Sequence, residues 1–384
     1  MANLFDYLKW RGDLPLAEIP INDIDSLIFS RLSYLPFDGI VPAQFDSEIT
    51  LAAAAEEILQ REDAEEQVIM KMDLPFLKEV ANCQRFSKLG LCGYTNQVDP
   101  DAEKQFAALV IRMGPQSSYI SYRGTDLSLA GWKEDFNMSF CTPVPAQVDA
   151  VRYLNDAARS LPGRLYVGGH SKGGNLAVYA AAFCRPEVQD RLTFIHNHDG
   201  PGFDSGVLKS GGYQRVRKKI KTFIPQSSAV GMLLQHEEDY YVIRSTQVGL
   251  MQHDLFSWEV QRDQFIYLDE VTEHSRFLDH TLKTWLAQLS PEQREQFVDT
   301  LFSILEETNA STLKELTLNW HKNARIVLKS LQEMDDDMRR NLSQAIGLLF
   351  EAAKHTARQN VRITIPKPSL LQNRGRDDEK QKKP

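Results

Sequence analysis

From about residue 91 to residue 245 the chain alternates short apolar runs with longer amphipathic or alanine-rich stretches, the pattern of strands separated by helices. Leu91–Thr95, Phe106–Met113 and Ser118–Tyr122 follow one another over short polar links, which predicts an antiparallel edge. A helix predicted over about 144–161 leads into the run Leu165–His170, and further strand-like runs follow at Leu192–Asn197, Ile220–Pro225 and Tyr240–Ser245. Alternation of this kind predicts a mainly parallel sheet with helices on both faces. Upstream, residues 1–30 read as a helical lead-in, Phe45–Gln60 as a helix capped by Asp46 or Ser47, and Met70–Leu89 as a further helix. From about Gln264 the pattern becomes nearly continuous helix over 268–289, 291–307 and 313–357, with Pro291 behind Ser290 as a first-turn proline after a serine cap. The organisation predicted is therefore an α/β domain over 1–262, a C-terminal helical region over 263–360 and a polar, charged tail over 361–384 with too few apolar residues to order itself.

One junction in this pattern carries chemistry. The strand Leu165–His170 runs through Gly169-His170-Ser171-Lys172-Gly173 into an alanine-rich helix, matching G-x-S-x-G in the strand–turn–helix context that the motif requires. Glycines on either side let strand and helix approach closely, so that Ser171 is presented on a sharp turn, as in an α/β-hydrolase fold. In that fold the nucleophile is followed in the chain by an acid and then by a histidine, and the residue after the nucleophile offers a backbone N–H to the oxyanion. Lys172 would supply that donor, with its side chain expected to face solvent from the first helical turn or to attract an anionic substrate. Of the nine histidines, His253 lies in the loop after the last predicted strand, where the fold places its base. His196 and His198 flank a strand end and are read as packed or solvent-facing rather than as a base, while His274, His280, His321 and His355 fall in predicted helices.

The residues also resemble a known family. Ser118–Tyr122 followed by Arg123-Gly124-Thr125, with Trp132 and acidic residues beyond, resembles the oxyanion segment of class 3 lipases, as does the elbow continuing into Gly174-Asn175-Leu176-Ala177. Asn3–Leu8, Ser33–Asp38, Asp199–Phe203 and Gln252-His253-Asp254 resemble an uncharacterised bacterial family related to those lipases, a similarity covering about residues 1–260. The resemblance implies Thr125 as the second oxyanion residue. It also exposes a departure: where class 3 lipases carry the triad aspartate, this chain has Ser228. Three routes to the acid remain open. Asp199, ahead of Gly200-Pro201-Gly202, matches the position used by pancreatic-type lipases, although an aspartate there equally suits an Asx turn. Alternatively a serine or a water orients His253, or Glu237, Glu238 or Asp239 reaches over.

Composition narrows the classes. The chain has 384 residues, 42% of them hydrophobic and 25% charged, ample for a large core. A net charge of −8 gives no basic footprint for nucleic acid. No apolar run reaches the ~18 residues of a membrane span, and the first residues lack a leader pattern, so a cytoplasmic protein is expected. Cys83, Cys92, Cys141 and Cys184 show neither metal-ligand spacing nor disulfide density and are read as reduced; no cofactor or metal is expected. The reading is a serine hydrolase of small-molecule or lipid carboxylic esters. An acyltransferase or thioesterase on the same residues, and a non-catalytic hydrolase-fold binding or scaffold protein, stay open beside it. The helical region is read either as a cap over the acyl pocket or as a homodimer interface.

Overall fold

A computed structural model describes residues 1–126 and 128–308, together with 323, 326, 329, 330, 339–348 and 351. Among them are eleven strands: β1 (Ile49–Thr50), β2 (Gly90–Asp99), β3 (Lys104–Gly114), β4 (Ser117–Tyr122), β5 (Arg164–His170), β6 (Leu192–His198), β7 (Ile220–Pro225), β8 (Tyr240–Ile243), β9 (Val260–Gln261), β10 (Gln264–Phe265) and β11 (Tyr267–Leu268). Nine form one sheet in the order β1-β2-β3-β4-β5-β6-β7-β8-β11, while β9 and β10 make a separate ribbon. β1 to β4 pair antiparallel, β4 to β8 pair parallel, and β11 closes the far edge antiparallel. The sheet is thus mixed, with its parallel strands at the centre, and the antiparallel entry edge is as expected. The α/β-hydrolase architecture follows from this centre and from the helices on either face.

Alternation along the strands feeds two separate cores, because successive side chains point to opposite faces. Leu109, Ile111 and Tyr119 join one core with the helices Leu4–Arg11, Asp23–Leu32, Leu51–Leu59 and Asp73–Asn82. Ala108, Val110, Ile120 and Tyr122 join the other with the helices Pro145–Ser160 and Lys172–Phe183. Two ion pairs are buried within the first layer, Arg85–Asp25 and Arg31–Asp73, the latter with Arg31 Nε donating to Asp73 Oδ1 at 2.7 Å.

Several predicted boundaries move. The helix expected from Phe45 starts at Leu51 with Thr50 as its cap, not Asp46 or Ser47, because Ile49 and Thr50 are held extended by pairing with Leu91 and Gly90. The helix expected over Met70–Leu89 is only Asp73–Asn82, since Cys83 is extended and the chain then turns to bring Arg85 to Asp25. The helix expected from residue 268 begins at Glu273, behind a Thr272 cap, because Tyr267 and Leu268 are recruited to the sheet edge against Ile243 and Val242. The Ser290 cap with Pro291 behind it opens the helix Pro291–Glu306 as read. The described residues of 313–357 are helical, and the expected tail over 361–384 lies outside the described residues. All four cysteines are free; burial pushes the thiols of Cys83 and Cys92 up to about 11 and that of Cys184 up to about 12. Among the described residues no helix is long and apolar enough to cross a membrane.

Candidate active site

Ser171 sits between β5 and the helix Lys172–Phe183 with φ 59° and ψ −134°, a backbone conformation that costs a non-glycine residue about 1–3 kcal/mol. The packing around it requires the two motif glycines: a Cβ on Gly169 would lie 2.3 Å from the Gly173 carbonyl carbon, and one on Gly173 would lie 2.1 Å from the Tyr122 oxygen. The Ser171 N–H donates to the His198 carbonyl at 2.9 Å, which fastens the elbow to the end of β6.

Asp199 follows at that strand end. Its carboxylate Oδ2 lies 2.6 Å from His253 Nδ1, so the neutral imidazole donates from Nδ1 and leaves Nε2 free to accept a proton. The Asp199 side chain is 1% exposed and that of His253 28%, the imidazole lying between a buried anion and the surface. Of the three routes left open for the acid, the structure brings Asp199 to His253. The Ser228 hydroxyl is turned to the acid rather than to the imidazole: its Oγ donates to the other carboxylate oxygen of Asp199 at 2.5 Å, beside the Gly231 N–H at 3.2 Å. The turn that Asp199 could have capped is capped by Asn197, whose Oδ1 accepts from the Gly200 N–H at 3.0 Å. Glu238 is engaged with Tyr213, Thr222 and His236, and Glu237 with Gln214 and Arg217. Ser228, singled out in the sequence as standing in the acid's place, donates to the acid instead; the Gly231 N–H beside it had no sequence signal, since a loop glycine is common.

At the residue after Ser171 the structure corrects the expectation for the Lys172 side chain. That side chain is not solvent-facing: it is 1% exposed, and Nζ donates to Glu134 Oε2 at 2.8 Å and to the Gln105 carbonyl at 3.0 Å. A buried ammonium needs a buried counter-charge, and the helix Leu129–Asn137 supplies it. Glu134 also accepts the N–H groups of Gln105 and Ala146, so one carboxylate joins the elbow to three segments. As the first residue of its helix, Lys172 has a backbone N–H without an intrahelical acceptor. The Thr125 hydroxyl donates to Asp135 Oδ2, and burial pushes the Asp135 carboxyl up to about 6 despite the opposing charge of Lys172.

Of the two readings for His196 and His198, packed or solvent-facing, the structure shows both packed. Burial holds His198 down to about 3, and its nitrogens lie 3.1 and 3.2 Å from the hydroxyls of Ser26 and Ser30. The C-terminal helices touch both flanks of the site. Ser275 Oγ donates to the Ser228 carbonyl at 2.5 Å, while Phe302 packs edge-on against Phe136 at 5.9 Å and Asp299 pairs with Lys133 at 3.1 Å on the helix Leu129–Asn137. His280 is exposed, and His321 and His355 lie outside the described residues.

A strained serine elbow at the C-terminal end of a central parallel strand is the hallmark turn of the α/β-hydrolase fold. The chain belongs to the Mbeg1-like family, whose profile matches residues 80–303. No curated protein matches it. Among solved structures it is similar to M37 lipase, at 15% identity over 54% of this chain and 69% of that one, with a TM-score of 0.33. It is also similar to a fungal lipase in complex with an inhibitor, at 14% identity over 52% of this chain and 83% of that one, again with a TM-score of 0.33.

Proposed function

We propose that the chain is a serine hydrolase of carboxylic esters. The observation that carries the reading is the 2.6 Å contact between His253 Nδ1 and the buried Asp199, at the strand end to which the Ser171 elbow is tied. In this reading the Ser171 hydroxyl attacks the ester carbonyl carbon while His253 Nε2 takes its proton, and Asp199 stabilises the imidazolium that forms. The tetrahedral oxyanion is held by the N–H groups of Lys172 and Thr125. His253 then protonates the departing alkoxide, and a water activated by the same imidazole cleaves the acyl-enzyme. Small-molecule or lipid esters are the proposed substrates, and the four unpaired cysteines support a reducing, cytoplasmic setting. The contacts of the C-terminal helices with Ser228 and Lys133 favour their role as a cap over this site.

Fluorophosphonate labelling tests the reading. Wild type should label and should hydrolyse short p-nitrophenyl esters, and both signals should vanish in Ser171→Ala and fall in His253→Ala. Folded wild type that neither labels nor hydrolyses esters would leave a binding or scaffold role for the fold.

A further inference from the structure

The residue before the nucleophile and a tyrosine far upstream in sequence meet at the site without a part in the chemistry above. His170 and Tyr34 are both buried. His170 Nε2 lies 2.8 Å from the His253 carbonyl oxygen, an atom that can only accept, so His170 carries its proton on Nε2 and presents a lone pair at Nδ1. Tyr34 Oη is 3.2 Å from that Nδ1 and 3.1 Å from the His170 carbonyl oxygen, and it accepts the Gly124 N–H at 3.1 Å. The imidazoles of His170 and His253 stand 4.5 Å apart between centroids.

We propose that Tyr34 and His170 are positioning residues for the hydrolytic reaction, a neutral hydrogen-bond bridge that sets the backbone of the base, of the elbow and of the oxyanion segment relative to one another. The inference rests on the serine hydrolase reading and adds to it two residues that touch no reacting atom. Asp199 orients the ring of His253, but nothing in that contact fixes the backbone from which the ring projects. His170 does so through the His253 carbonyl. Tyr34 fixes the other side: Gly124 is the neighbour of Thr125, and a Cβ on Gly124 would stand 2.2 Å from Tyr34 Oη and 3.1 Å from Ser171 Cβ, so the three segments converge in a space that only a glycine leaves open. The bridge must stay uncharged, because a cation on His170 would oppose protonation of His253 during the reaction. Burial favours that state, holding the His170 imidazole well below its ordinary range and the Tyr34 phenol well above its own. Displacements of about 1 Å in such a constellation can cost on the order of 10²-fold in rate.

The test compares Tyr34→Phe, His170→Leu and His170→Gln with wild type in ester hydrolysis and fluorophosphonate labelling, with thermal unfolding as a control on folding. Phenylalanine keeps the ring and removes the hydroxyl; glutamine can return a donor near the place of Nε2, and leucine cannot. The expected result is a kcat about 10–100-fold lower in Tyr34→Phe and His170→Leu at nearly unchanged KM, slower labelling, and recovery of most of the rate in His170→Gln. Folded Tyr34→Phe and His170→Leu proteins with wild-type kcat overturn the bridge while leaving the hydrolase reading intact, as does an equal loss in His170→Gln and His170→Leu. Wild type that does not label overturns both.

Discussion

At the residue scale, Asp199 stands in a position where a loop aspartate ahead of Gly-Pro-Gly could have been mere turn chemistry. What separates the alternatives is the direction of its carboxylate, which the side chain of Asn197 frees by capping the turn instead. Asp199→Asn should therefore lower kcat by on the order of 10³–10⁴-fold with the fold intact, because an amide oriented by Ser228 and Gly231 favours the wrong imidazole tautomer. Ser228→Ala removes one donor to a carboxylate that keeps the Gly231 N–H and should cost no more than about 10-fold; ester hydrolysis kinetics on purified variants decide both. Asp135 gives a pH signature. Its folded carboxyl is pushed up to about 6 by burial, above the ~3.9 of an unfolded aspartate. The folded state thus binds this proton more tightly, so the group favours folding fully below about pH 4 and loses that contribution as the pH rises through 6. Thermal melts from pH 4 to 7 should show wild type gaining on acidification relative to Asp135→Asn; a constant difference between the two would show that Asp135 ionises normally. The Ser171 elbow and the loop that carries His253 were legible because G-x-S-x-G and the chain order of the fold leave few candidates. The buried course of Lys172 was not legible, because its partner Glu134 is 38 residues away in sequence and a lysine at a helix start is ordinarily solvated.

At the scale of elements, strands of six residues or more announced themselves by apolar runs, whereas the two-residue strands β1, β9, β10 and β11 have no period to read. They form because a neighbouring strand offers unpaired backbone groups, and β11 takes its two residues from what local sequence marks as helix. The helix Leu129–Asn137 was missed for a related reason: Gly131 weakens its propensity, and the Ser128 cap, the Glu134 contacts and the docking of Pro291–Glu306 stabilise it. That docking makes a prediction of its own. Phe302 is 3% exposed, so Phe302→Ala should destabilise the protein by about 3 kcal/mol in urea unfolding. The helix it presses against begins four residues after Thr125, so the variant should also label more slowly with fluorophosphonate under native conditions. Full labelling speed in a destabilised protein would show that the C-terminal helices brace the fold without tuning the segment around Thr125.

At the scale of the whole molecule, the family match begins at residue 80, yet the helices of the first layer of the fold come mostly from what precedes it. Ile24, Leu27, Ile28, Phe29, Leu51, Ile58 and Phe76 cover the sheet face that carries Leu109, Ile111, Tyr119 and Phe223, and Tyr34 descends from this layer to the site. Without it, a face buried among apolar side chains would meet water at about 25 cal/mol for each Å² exposed, against a net stability of about 5–15 kcal/mol for an ordinary domain. The layer is also locked electrostatically, because Arg85 lies within the matched residues while its counter-charge, Asp25, lies outside them. A chain beginning at residue 80 should accordingly show no cooperative unfolding transition by circular dichroism. The graded form of the same test keeps the chain whole: Asp25→Asn strands the Arg85 guanidinium among buried groups, including Tyr7 and the carbonyls of Leu14 and Ile19, and should cost about 3–5 kcal/mol. A sharp transition in the shortened chain would make the N-terminal helices an appendage. Loss of folding in that chain, with a graded loss in Asp25→Asn, would make residues 1–79 part of the α/β domain itself, required for the sheet that carries the Ser171 elbow and the Asp199–His253 pair.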